Sequence, residues 1–177
     1  MLAGQVLKAF YKSNLLKFPG ITVQHKLDLF DKLILHILNY GSEVWGLNDS
    51  IKLEGIHIHL CKHILVVRSQ TQHHFVYGEL GRTRLKSRRA VNVIRYWLKS
   101  VQLDNTKFVN KMYSLMYRNI DNSPTHMSWA SNVKTRLQSI GLYVAWINQG
   151  VGNVNVLSVD ISLNIFLICV YRTGILI

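Results

Sequence analysis

Between Gly81 and Ser100 the chain places Arg82, Arg84, Lys86, Arg88, Arg89, Arg95 and Lys99 with no carboxylate among them. The chemistry such a stretch allows is phosphate binding. On a helix, Arg88, Asn92, Arg95 and Lys99 fall at i, i+4, i+7 and i+11, one polar stripe opposite the Ile94 and Leu98 face. A stripe of this spacing meets successive phosphates and releases their counterions, so binding weakens steeply with salt. The candidate nucleic-acid-binding residues are therefore Arg82, Arg84, Arg88, Arg89, Arg95 and Lys99. The competing reading of the same residues is a solvated helix face.

The other chemistry-bearing side chains lead less far. His57, His59, Cys61 and His63 alternate, and His73 and His74 follow. His59 and His63 share a helix face at a spacing that can ligate zinc. No Cys-x-x-Cys pair or His-Glu-x-x-His carboxylate completes a site, so histidines in the core or on the surface are the expectation and no metal is assigned. Two-metal phosphoryl chemistry needs clustered carboxylates to hold magnesium beside the phosphate. Asp28, Asp31, Glu43, Asp49, Glu54, Glu79, Asp104, Asp121 and Asp160 are nowhere adjacent. Asp28 and Asp31 share one helix face, read as an exposed rim. Gly-x-Ser-x-Gly is missing, and the Gly150-Val151-Gly152 turn lacks the third glycine and the lysine of a phosphate loop. No catalytic residue and no cofactor is assigned.

The net charge of +12 and pI near 9.9 across 177 residues, 49% of them hydrophobic, favour one folded domain with anionic partners, nucleic acid ahead of membrane. Cys61 and Cys169 are too few and too distant for a disulfide framework, which fits an intracellular compartment, cytoplasmic or nuclear. No charge-free run reaches the roughly 20 residues of a membrane span, since Asp160 and Arg172 interrupt the apolar tail.

The elements that position the basic stretch are helical. Val6, Phe10, Leu15 and Leu16 suggest a first helix ending before Pro19-Gly20. Leu27, Phe30, Leu33, Ile34, Ile37 and Leu38 define a second, with Gly41 as its left-handed terminator. Asn48-Asp49-Ser50 starts a helix over Ile51 to Val67, and His73 to Leu80 forms a short one closed by Gly81. Further helices run over Arg84 to Val101, Phe108 to Met116 and Met127 to Ile140. Leu142 to Ile147 (LYVAWI) reads as a strand or a buried extended piece, followed by a Gln149 to Asn153 turn. The fold class is mainly α, a small helical bundle with an irregular C-terminal tail of strand-like composition.

Several blocks then point to a family. The knot YGSEVWG (Tyr40 to Gly46) follows the helix LFDKLILHIL. HLCKHILVVRSQT (His59 to Thr71), VYGELGRTRL (Val76 to Leu85) and RRAVNVIRYWLK (Arg88 to Lys99) come next in order. LQSIGLYVAWINQGVGNVN (Leu137 to Asn155) closes the series. Together, over about Val23 to Asn155, they resemble the region after the polymerase palm in reverse transcriptases of non-LTR (LINE-type) retrotransposons. That resemblance implies a helical thumb-and-following region lying along template RNA and primer, with RNA or an RNA/DNA hybrid and a palm domain as partners. It also implies packing roles for Tyr40, Trp45, Tyr77 and Trp97. The family's palm carries paired aspartates in a Tyr-x-Asp-Asp motif; the 177 residues contain no such motif, so polymerase activity does not carry over.

Beyond Asn155 the family continues with a basic amphipathic helix, whereas this chain reads VLSVDISLNIFLICVYRTGILI. A frameshift, or read-through into non-coding sequence, near Val156 is the hypothesis, and an intact reading frame encoding the same tail in the source DNA would sink it. The expected division is a helical thumb-like region over 1–141, an extended segment with a glycine turn over 142–155 and an atypical tail over 156–177. The expected function is a non-catalytic fragment of an RNA-directed DNA polymerase that contacts template and primer. The alternatives are a protein-interaction module, or a non-functional relic of a degraded element.

Overall fold

The apolar residues that set the helical periodicity are the ones the chain buries: Leu27, Phe30, Ile34 and Leu38 in one stretch, Val93, Ile94, Trp97 and Leu98 in another. The computed structural model describes residues 20–48, 50–120 and 128–150, with Gln5 and Lys8. The protein is mainly α, and no strand occurs among the described residues. The expected first helix and the tail after Gly150 lie outside them, as does the frameshift hypothesis. The helices form two compact units, one drawn from Met1–Tyr40 and Ser50–Leu85, the other from Gly41–Asp49 and Lys86–Ile177.

In the first unit, α1 (Val23–Phe30) starts at Thr22, whose hydroxyl accepts the His25 backbone N–H at 3.3 Å. It runs through a π-helical stretch (Asp31–Leu35) into α2 (His36–Leu38). Gly41 follows at φ +66°, the left-handed turn expected of it. Ser50 leads into α4 (Ile51–Leu65) without a side-chain cap bond. Leu60 and Ile64 from α4 close on Leu27, Phe30, Ile34 and Leu38, with Leu85 completing this core. After the loop, α5 (His73–Glu79) packs Val76 and Tyr77 against Ile58 and Cys61.

The second unit contains α3 (Ser42–Trp45) and is organised around α6 (Leu85–Gln102), whose own first residue belongs to the first core. Glu54 caps that helix, accepting the Leu85 backbone N–H at 3.2 Å. After it come α7 (Phe108–Arg118), α8 (Trp129–Ser139) and α9 (Tyr143–Ile147). Asn110 on α7 reaches back to the last turn of α6, its amide donating to the carbonyls of Ser100 at 3.2 Å and Leu103 at 3.0 Å. The carbonyls of a helix's last turn lack intrahelical partners, and this side chain supplies one for Ser100.

One expectation fails here. LYVAWI is the helix α9, not an extended segment. A short apolar run carries no periodicity that separates strand from helix. Burial of Ala145 and Trp146 against Trp97 and Leu137 decides the matter in favour of a helical turn.

Gly46, the last residue of the YGSEVWG knot, sits where α3 meets α6. A Cβ there would lie 2.3 Å from the Ser42 carbonyl oxygen, 3.0 Å from Arg89 Cβ and 3.2 Å from Val93 Cγ2. Gly46→Ala is therefore expected to cost about 1–3 kcal/mol, the usual range for overpacking. Urea unfolding of the two chains checks this, and equal midpoints would contradict it.

Candidate nucleic-acid interface

The six cations singled out in the sequence do not share one environment. Arg95 and Lys99 are exposed on α6, and Arg88 is half-buried on the same face two to three turns earlier. Asn92, also half-buried, completes the i, i+4, i+7, i+11 row. Opposite it, Ala90, Val93, Ile94, Trp97 and Leu98 are buried in the second core. The amphipathic division of α6 therefore holds this row on the face away from the second core. Arg95 and Lys99 make no ion pair among the described residues. Arg84 is exposed just before α6 begins.

Arg82 and Arg89 stand apart from this row. Arg82 is buried, and its guanidinium meets the Asp31 carboxylate at 2.6 Å. This bond ties the chain ahead of α6 to the π-helical stretch after α1. Arg89 is 0% exposed, with its guanidinium 5.4 Å from the centre of the Trp45 ring. A desolvated cation over an indole face is a favourable packing contact. Both arginines hold the fold and present no surface charge to a polyanion. Charge alone does not separate them from their neighbours. Arg88 and Arg89 are adjacent and chemically identical, and only the helical phase against the buried face distinguishes them.

Asp31, read as an exposed rim with Asp28, is thus a long-range partner of Arg82 across 51 residues. Asp28 accepts a hydrogen bond from the Gln24 amide at 2.9 Å.

The histidines divide as well. His57 is fully buried, stacked on Phe30 with ring centres 5.6 Å apart and tilted against Tyr77 at 5.4 Å. His59 and His63 are exposed on α4, and Cys61 between them is buried in the core. No group of three or more metal-ligating side chains occurs among the described residues. The His73 imidazole titrates below its ordinary value, first through burial and then through the positive charge of Lys62, Arg84 and His74. The Tyr77 hydroxyl is pushed well up, chiefly by burial and then by Glu54.

The aromatic residues assigned packing roles follow that assignment except one. Trp97 and Tyr77 are buried and Trp45 is half-buried beside Arg89, but Tyr40 is 86% exposed. It lies in the turn between α2 and α3.

The same unit has a second exposed feature, on residues whose periodicity marks a helix. Phe108, Met112 and Leu115 recur at i, i+4 and i+7 on α7, and all three are exposed. Helical periodicity alone marks them as a core face. The buried side of α7 is instead carried by Tyr113 and Asn110.

No helix among the described residues is long and apolar enough to cross a membrane. No family model, curated protein or solved structure matches the chain.

Proposed function

We propose that this chain is a non-catalytic, nucleic-acid-binding part of a non-LTR retrotransposon reverse transcriptase, corresponding to the region after the palm. It lies against template RNA or an RNA/DNA hybrid through α6. The observation that carries the reading is the outward row of Arg88, Asn92, Arg95 and Lys99 on a helix anchored by Trp97 and Leu98. The ordered blocks from Tyr40 to Asn155 add the family to what would otherwise be a basic helix.

The experiment is RNA binding over a salt series. Each phosphate contact contributes about 0.7 to the slope of log affinity against log salt on a single strand and about 0.9 on a duplex. Three such contacts therefore give a slope near −2 to −3 from this row alone, whatever the RNA sequence. Binding that is indifferent to salt would remove the row from the account.

A second reading, a protein-interaction module, is favoured by the Phe108, Met112 and Leu115 stripe. An apolar face of this kind associates with another protein surface or with itself. Concentration-dependent elution on gel filtration, abolished by Phe108→Ser with Leu115→Ser, is the expected result under that reading. An unchanging monomer in both chains would count against it.

A further inference from the structure

Away from α6, the first unit gathers positive charge round a concavity of its own. Lys26 from α1, Lys62 and His63 from the last turn of α4, and Arg68 from the following loop line a cleft of about 470 Å³. Ile64, Val66 and Val67 supply its apolar wall, and no carboxylate lines it. Helix polarity explains part of this. The negative end of α4 favours cations in its last turn, which accounts for Lys62 without any ligand. It does not account for Lys26, which arrives from another helix, or for Arg68, which lies beyond the turn.

The loop that brings Arg68 to the cleft has an uncommon backbone. Val66 adopts φ +56° and ψ +39°, a left-handed conformation that β-branched residues rarely take, and it is 90% exposed. Its backbone N–H and that of Val67 close the helix onto the carbonyls of His63 and Lys62. The Lys62 ammonium donates to the Ser69 carbonyl and pins the far side of the loop. The turn is thus fixed by bonds on both sides, and local strain of this kind gathers at ligand sites. Bringing like charges round one hollow costs free energy until an anion enters it.

We infer that this cleft is a phosphate-binding site, with Lys26 and Arg68 meeting the phosphate oxygens and Lys62 shaping the loop. The inference stands on residues of the first unit and needs nothing from the α6 row. The shared chemistry is the phosphate group, carried either on a nucleic-acid backbone or as the free ion. The wall formed by Val66 and Val67 offers an apolar surface beside it.

The test is a set of amide spectra of the full chain, titrated with sodium phosphate, with sodium chloride at equal ionic strength, and with a short oligouridylate. The amides of Val66 to Ser69 are expected to move saturably with phosphate and not with chloride. Lys26→Gln with Arg68→Gln should weaken that binding about tenfold or more, since charge-assisted bonds are lost, while the rest of the spectrum stays in place. Arg68→Lys, which keeps the charge, should retain most of it. Saturation by the oligouridylate below the phosphate concentration identifies a nucleic-acid backbone as the source; saturation by phosphate alone identifies the free ion. Amides that move with neither probe, or move equally in the folded double variant, overturn the site. Shifts at Arg95 and Lys99 report on α6 separately, so failure at the cleft and failure of the α6 reading are distinguishable.

Discussion

Trp97→Ala is expected to remove about 3–5 kcal/mol of stability from the second unit, the range for deleting a buried large aromatic side chain. Trp97 is 0% exposed at the middle of α6 and stacks on Trp146 with ring centres 5.7 Å apart. Its indole N–H donates to the Tyr113 hydroxyl at 3.0 Å, and that hydroxyl donates onward to the Gln149 side-chain oxygen at 2.6 Å. Tyr113 also meets Trp129 and Trp146 edge-on, so one side chain joins α6, α7, α8 and α9. Burial raises the Tyr113 hydroxyl above its ordinary titration range, and the hydrogen bonds with Trp97 and Gln149 pull it partly back. Trp97→Phe keeps most of the ring and loses the donor, so its cost should be nearer 1 kcal/mol, that of a single hydrogen bond. Chemical denaturation followed by far-UV circular dichroism checks both. A loss for Trp97→Ala no larger than that for Trp97→Phe would mean the aromatic cluster is not the centre of this unit.

The second large effect separates two neighbouring arginines. Arg89→Ala is expected to destabilise the second unit by about 2–4 kcal/mol, through a lost desolvated cation–π contact and the cavity left behind. Arg88→Ala, one residue earlier and half-buried on the face away from the second core, should cost less than Arg89→Ala. The order reverses for RNA. Arg88→Ala should weaken binding, and a folded Arg89→Lys chain should bind as the parent does, because Arg89 is fully buried beneath Trp45. The comparison requires only midpoints and affinities for single variants. Equal destabilisation by both alanine substitutions would contradict the helical phase assigned to α6.

Much of the helical framework was legible in the sequence. The period of Leu27, Phe30, Ile34 and Leu38 and that of Ile94, Trp97 and Leu98 identify the two buried faces, because burial demands one side of a helix. Gly41 marks its turn for an equally local reason, a positive φ that disfavours a side chain. What stayed hidden depends on distant residues. The Asp31 and Arg82 pair spans two elements, and so does the capping of α6 by Glu54. The division into two units also lies beyond local pattern, since it arises from α3 joining α6 through the close approach at Gly46.

The candidate site was half legible for the same reason. Charge density located the basic stretch, and helical phase selected Arg88, Arg95 and Lys99 as one row. Arg82 and Arg89 join them on charge alone, since their partners Asp31 and Trp45 lie far off in the chain. The cleft of Lys26, Lys62, His63 and Arg68 could not be seen at all, because α1 and the end of α4 are far apart in the chain.

The most direct measurement is RNA affinity against salt for the parent chain and for Arg88→Ala, Arg95→Ala and Lys99→Ala combined, with circular dichroism to show that the triple variant is folded. Loss of three phosphate contacts should flatten the slope by about 2 on a single strand and weaken binding most at low salt. A folded triple variant with the slope of the parent would contradict the assignment of α6 to the nucleic acid.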